Sequence, residues 1–288
     1  MNMKKIKKAK TLTSDRMFDI FNYTFLAILL VIVAYPLYYV LIASISDPYE
    51  VYAGKTFLLP SKVTFEGYAR VFKEKSIATG YINSIYYTVL GTVVSVALII
   101  TTGYCVSKKT LPFRKSIMMF YVFTMYFNGG LIPTYLVVAK MGLLNNVIVC
   151  RTFFESSIPE ELYEAASIDG SSNLRTFFRI ALPLSKPILA VMVIFTMVAY
   201  WNDWFTALIY MSEKSKYPLQ LALRQILIQS QATATMMGNM DGGYAEANKI
   251  TELIKFSSIV VGAVPMLIAY PFVQKYFEKG FMAGAVKG

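Results

Sequence analysis

Apolar runs too long for an ordinary soluble core are the feature that most restricts this chain. A bilayer core about 30 Å thick is crossed by roughly 20 consecutive, mainly apolar residues in a helix. The stretches from Tyr23 to Ile45, Tyr81 to Val106 and Leu253 to Val273 all reach that length. The first is too long for the apolar core of a signal peptide and no small-residue cleavage pattern follows it, so it reads as a retained anchor. By length alone, 288 residues could form two soluble domains. A hydrophobic share of 56%, mean hydropathy +0.50 and only 16% charged residues exclude that class.

Charge orders the spans. Lys4, Lys5, Lys7, Lys8, Lys10 and Arg16 precede the first span, and Lys108, Lys109, Arg114 and Lys115 follow the second. Under the positive-inside rule both blocks face the cytoplasm, leaving 46–80 outside as a short cap with Pro48 and Pro60. A third span begins near Ser116 and meets Asn128, Gly129, Gly130 and Pro133, which break or kink it. After 131–150 come a polar, helix-forming segment at 151–186, a span from Pro187 to about Leu208, a polar stretch to Glu252 and the final span. With the tail, the Lys108 block, the 151–186 segment and the C-terminus inside, the cytoplasmic side holds 17 of the 28 Lys and Arg residues, against nine in the two external stretches. The expected architecture is all-α and polytopic, with about six transmembrane helices and both termini in the cytoplasm. Its parts are a tail, first helix and external cap at 1–80, a core at 81–274, and a cytoplasmic tail at 275–288.

The formal charge of +11 sits in blocks beside apolar spans rather than along one face interleaved with aromatics, so topology and lipid explain it and nucleic acid does not. Histidine is absent, which removes the commonest general base and metal ligand. Cys105 and Cys150 lie far from CxxC spacing and read as small buried residues.

The most informative segment is polar. Pro159, Glu160 and Glu161 open a helix with acids at its positive end. Gly170 supplies a turn where positive φ costs nothing, and a second amphipathic helix carries Leu174, Phe177, Phe178 and Leu182 until Pro183 and Pro187 stop it. Ala165, Ala166 and Ser167 form a small-residue surface that lets another protein approach closely.

The pattern Glu164-Ala165-Ala166, three residues, Gly170, nine residues, Ile180, one residue, Leu182-Pro183 resembles at every position the coupling motif of importer permeases of the ATP-binding-cassette superfamily. Asn83-Ser84 with Thr88, the run from Phe127 to Thr134, Trp201-Asn202-Asp203-Trp204 and the ending from Gly284 to Gly288 are similar to the carbohydrate branch. Within it the likeness is to the second maltose-type permease and to permeases for uronic-acid-containing and other complex oligosaccharides. The resemblance implies the type I importer permease fold and a subunit that is not an enzyme. It implies as partners a second, different permease, two ATP-binding cassette subunits that carry ATP and Mg, and an extracytoplasmic sugar-binding protein, all at a bacterial cytoplasmic membrane. Glu164, Ala165, Ala166, Asp169, Gly170, Ile180, Leu182 and Pro183 would form the ATPase-coupling segment, with Gly170 as its hinge. No GxxxxGK[ST] occurs, consistent with ATP sites on other chains. No cofactor is expected in this chain.

Tyr200, Trp201, Asn202 and Trp204 are candidate path-lining residues, since aromatic rings stack on sugars and amides bond hydroxyls. Interfacial anchoring by Trp and Tyr is the alternative. An ion-coupled secondary transporter is the rival reading, opposed by the lack of mid-span acids. One departure stands out. Similar permeases carry a further apolar segment after the Gly-Leu-Leu-Asn stretch, but here Asn145 and Asn146 are followed at once by Val147 to Cys150 and Arg151. Most of a fourth span is missing, which leaves either a strained crossing at 131–150 or an inactive deletion variant of the permease.

Overall fold

The computed structural model describes residues 13–126, 144–237 and 244–285. Among them there is no strand, and helices account for nearly all regular structure. Three are long and apolar enough to cross a membrane, at Arg16–Ser44, Lys75–Ser107 and Thr251–Phe272. A fourth crossing is formed if Asn173–Leu184 and Lys186–Trp201, bent by 79°, act as one span. The chain divides into two compact units, one of Met1–Lys73 with Leu227–Val260 and one of Glu74–Ile226 with Val261–Gly288.

The first unit is built on α1 (Thr13–Ser44), whose apolar residues from Met17 to Leu41 are largely exposed, as a helix solvated by lipid requires. Two short helices follow, α2 (Pro48–Tyr52) and α3 (Glu66–Lys73). Asp47 caps α2 by accepting from the Tyr49 N–H at 2.9 Å, with Pro48 at the first turn, where its missing N–H is harmless. Glu50 holds Lys55 and Lys62 at 3.3 and 3.4 Å. Gly67 marks the closest helix approach: a Cβ there would lie 2.3 Å from Ser257 Oγ and 2.7 Å from the Leu253 carbonyl oxygen.

The second unit is organised by α4 (Lys75–Ser107), against which α6 (Leu144–Ser156) and α9 (Lys186–Trp201) pack. A Cβ on Gly103 of α4 would come within 3.0 Å of the Cys150 Cβ, so glycine sets the spacing to α6. Val147 and Cys150 are fully buried there, while Cys105, expected to be buried, is exposed on the other side of α4. Cys105 is turned about 100° from buried Tyr104 and about 200° from Gly103, because a helix turns about 100° per residue, and so it leaves the strip of α4 that faces the core.

Proline chemistry explains another feature. In α12 (Tyr244–Ala285) Pro265 has no N–H to give the Val261 carbonyl four residues earlier. The Tyr81 hydroxyl supplies that bond at 2.6 Å, and the next carbonyl, of Gly262, accepts from Trp201 Nε1 at 3.0 Å.

Two helices border 127–143, α5 (Arg114–Tyr126) and α6, and each runs up to the edge of the described residues. Most of the expected crossing at 131–150 lies outside the described residues. The penultimate span is shorter than its apolar run, because α9 ends at Trp201 and a separate helix, α10 (Phe205–Tyr210), carries the chain on to Tyr210.

Candidate functional site

The segment after α6 folds as the acids, glycine and prolines of its sequence dictate. Its first helix, α7 (Glu160–Ile168), has Pro159 at the cap and Glu160 and Glu161 in the first turn, where the positive end of the helix favours them. It ends in a Schellman turn: the Ser171 N–H donates to the Ala166 carbonyl at 2.9 Å and the Gly170 N–H to the Ser167 carbonyl at 3.1 Å. Gly170 has φ +68, as expected from its position, and a Cβ there would meet nothing within 4 Å. Glycine is required there by the backbone angle and not by lack of space. Ser172 caps the following helix, α8 (Asn173–Thr176), accepting from the Arg175 N–H at 3.3 Å.

That second helix is not the simple amphipathic one expected. From α8 it widens into a π-helical turn at Phe177–Ala181 and continues through Leu182–Leu184. The wider turn rotates Phe177 and Ala181 into the core, at 6% and 0% exposed, and leaves Leu174 and Phe178 on the surface. Pro183 lies inside the continuation, and the bend before α9 comes at Ser185. Ile180 and Leu182 are half-buried, and Pro183 is exposed.

This segment is anchored on the end of α4. Tyr104, Phe154, Tyr163 and Phe177 form an aromatic cluster, with ring centroids 4.9 to 6.3 Å from that of Tyr104. The Lys108 ammonium sits 3.2 Å from the centroid of the Tyr163 ring. Burial pushes the Tyr163 phenol up to about 12, with Tyr104 adding to it. Burial also lowers the pKa of Lys108, partly offset by the Glu160 carboxylate. Lys109 pairs with Glu160 at 2.9 Å, and Arg114 and Arg151 both pair with Glu155. A cavity of about 490 Å³ lies among Lys108, Lys109, Arg114, Glu155, Glu160 and Glu164.

Anchoring fixes which face of α7 is free. Tyr163 and Ala166 turn inward, so Ala166, expected on the contact surface, is instead buried at 5% exposed. Glu161, Glu164, Ala165 and Ile168 share the outer face at helical spacing, and Asp169 and Gly170 are exposed at its end. Ile168, 86% exposed, was not singled out by sequence reasoning. Its signal was present: it falls two residues past buried Ala166, off the stripe that faces the core.

The four candidate path residues separate into two kinds. Trp201, 3% exposed, is a packing residue held by the Gly262 carbonyl, and the Tyr200 hydroxyl bonds Ser95 Oγ at 2.8 Å with its ring against Gly91. Asn202 is exposed and Trp204 half-buried. Asn202 Nδ2 donates to the Val198 carbonyl at 2.9 Å, and the Arg224 guanidinium carbon lies 3.6 Å from the centroid of the Trp204 ring. Asn83, met in the sequence only as part of a likeness, ties α4 to the chain before α11 (Leu219–Met237) by donating to the carbonyls of Ser215 and Tyr217 at 2.8 and 3.0 Å.

Comparison with known proteins places this geometry. Residues 9–282 match the family described as binding-protein-dependent transport system inner membrane component. The polygalacturonan/rhamnogalacturonan transport system permease protein YtcP of Bacillus subtilis (strain 168) is 38% identical, with 95% of this chain and 99% of that protein covered. Protein LplC of the same organism is 37% identical, with 96% of each covered. A chain from the crystal structure of a bacterial ABC transporter involved in the import of the acidic polysaccharide alginate superposes with a TM-score of 0.76 at 32% identity, covering 94% of this chain and 100% of that one.

Proposed function

This chain belongs to the family of binding-protein-dependent transport system inner membrane components, and from that premise we propose that it couples the closure of a partner ATPase to the import of sugars or oligosaccharides. It is a multi-pass membrane permease subunit, and its family works with an ATPase and a substrate-binding protein. In this reading ATP and Mg bind two cassette subunits, a second and different permease completes the pore, and the binding protein delivers sugar from outside. Both termini and the coupling segment face the cytoplasm.

The observation that carries the reading is the outer face of α7. Glu164, Ala165, Ile168 and Asp169 stand exposed on a short helix whose opposite face is locked to α4 through Tyr163 and Ala166. A load applied to that face is passed to α4 and, through Phe177 and the bend at Ser185, to α9. Closure of the ATPases thereby becomes a movement of membrane helices that opens the path to the other side. The chain itself performs no bond chemistry; its work is differential contact in two states. Tyr200, Trp201, Asn202 and Trp204 belong to the permease path in this reading, the first two by holding α4, α9 and α12 in register and the last two by facing the sugar.

Reconstitution tests it. Vesicles holding this chain, its partner permease and the ATPase pair, supplied with loaded binding protein, should take up oligosaccharide with ATP and not without it. Uptake by this chain alone, driven by an ion gradient, would overturn the proposal in favour of a secondary carrier. A second reading, a shortened and inactive permease, is favoured by the sequence, in which Asn145 and Asn146 are followed directly by Val147 to Cys150 and Arg151. Complete assembly with no uptake would select it.

A further inference from the structure

We infer that Arg224, laid flat on Trp204, is the group that reads the carboxylates of an acidic oligosaccharide passing through this permease, an inference that rests on the reading of the chain as a sugar importer subunit.

The start of α11 is held rigidly. Leu219 and Leu221 are fully buried, Ala222 and Leu223 are 3% and 5% exposed, and the Leu219 N–H donates to Ser84 Oγ at 2.8 Å. A Cβ on Gly80 would lie 3.0 Å from the Leu219 Cα, so α4 and α11 are in direct backbone contact. The next residue after this buried set is Arg224, and it is exposed. A long cationic side chain on a fixed backbone still loses freedom on binding, but here its guanidinium carbon already rests 3.6 Å from the Trp204 ring centroid. Stacking occupies the flat face of the guanidinium and leaves its edge, which carries the N–H donors, open for a planar acceptor.

No acid among the described residues uses that edge. Among the described residues Arg224 has no ion pair. The neighbouring Asp203 accepts from the Thr206 N–H at 3.1 Å, and Glu213 pairs with Lys216 at 3.1 Å. Arg224 is therefore a pre-positioned donor fork, held on the Trp204 ring, for a carboxylate from outside the chain, and Asn202, two residues from Trp204 in the chain, is exposed as well. Uronic acids present one carboxylate per sugar together with hydroxyls, which is the combination this cluster fits. A lipid phosphate offers the same oxyanion chemistry, and the test separates the two.

The test uses the complete transporter in vesicles, with the binding protein saturated by either an oligogalacturonide or its fully methyl-esterified form, which keeps the sugar and removes the charge. Arg224→Gln should lower the apparent affinity for the acidic sugar about tenfold or more while changing uptake of the ester less than about twofold, with Arg224→Lys in between. Equal loss for both sugars would mean a structural or lipid-anchoring arginine and would overturn the inference, as would no loss for either. A wild-type transporter that moves the ester but not the acid would overturn it while leaving the sugar reading intact, and one that moves neither would remove both. If Arg224→Gln does not assemble, Arg224→Lys provides the same comparison, with an expected loss for the acidic sugar of about threefold because a single ammonium cannot present the planar donor fork.

Discussion

Gly170 shows how much one backbone angle can carry. Its φ of +68 closes a turn that releases α7 and starts α8, and the space where a Cβ would sit is empty. The cost of any other residue is thus conformational, about 1–2 kcal/mol for an ordinary side chain and more for a β-branched one. Gly170→Val should insert and assemble normally yet lose about tenfold or more of its ATP-driven uptake, since the energy that seats α7 on a partner is then spent on strain. Gly170→Asn, which tolerates the left-handed region, should keep most of the activity lost by valine. Uptake measured in vesicles with equal amounts of assembled complex checks both, and equal activity of the two variants would show that the turn is not what couples. The same scale separates Ala165 from Ala166, adjacent in the motif and alike in chemistry, one exposed and the other 5% exposed against its own protein.

At the scale of elements, the proline in α12 and the chain between α5 and α7 make opposite points about membrane helices. Pro265 removes a donor from the Val261 carbonyl, and Tyr81 of α4 replaces it. Tyr81→Phe should therefore destabilise the permease by about 1 kcal/mol, and the cost should fall by half or more in a Pro265→Ala background, where a backbone N–H is restored. Denaturation of the purified permease in mixed micelles gives the cycle; equal costs in both backgrounds would separate the two residues. Between α5 and α7 the sequence passes from Asn145 and Asn146 directly through Val147 to Cys150 and on to Arg151. For the coupling segment to reach the cytoplasm the chain must still cross between them. Ser46 would be a poor reporter of the outer side, because its side chain is fully buried, whereas Ala53 and Asn173 are exposed. Single cysteines at those two positions, in a background without Cys105 and Cys150, should react differently with an impermeant thiol reagent on cells whose outer face is open: Ala53→Cys labelled, Asn173→Cys protected. Labelling of both would mean that the crossing is lost.

For the whole molecule, the proposed coupling role of α7 sets the stoichiometry. In that reading its one outer face engages one ATPase, so a cassette pair would need a second such segment from another subunit. Affinity purification of this chain from its native membrane should bring down a different permease in about equal amount, together with the ATPase, and the chain with ATPases and binding protein alone should transport at well under a tenth of the full rate. Full transport without a second permease would establish a homodimer instead. Exposed apolar side chains along α1 fit either lipid or such a partner, and the partner's mass in the purified complex distinguishes them by what protects α1 from lipid-phase labelling.

Much was legible from order and chemistry alone. Apolar runs located the ends of the Arg16–Ser44, Lys75–Ser107 and Thr251–Phe272 spans to within one residue and their starts to within seven, because a helix in lipid must be uniformly apolar over about the thickness of the bilayer. The acids at Glu160 and Glu161, the glycine at 170 and the family resemblance drawn from the motif located the coupling turn, since each is a local requirement that any fold must meet. What neighbours decide was not legible. That Ala166 faces inward, that Cys105 faces outward, that Trp201 serves a carbonyl on α12 and that Arg224 lies on Trp204 all depend on contacts between residues up to 61 positions apart in the chain or on how one helix is rotated against another. A sequence states which groups need partners; only the packed helices determine which partner each one meets.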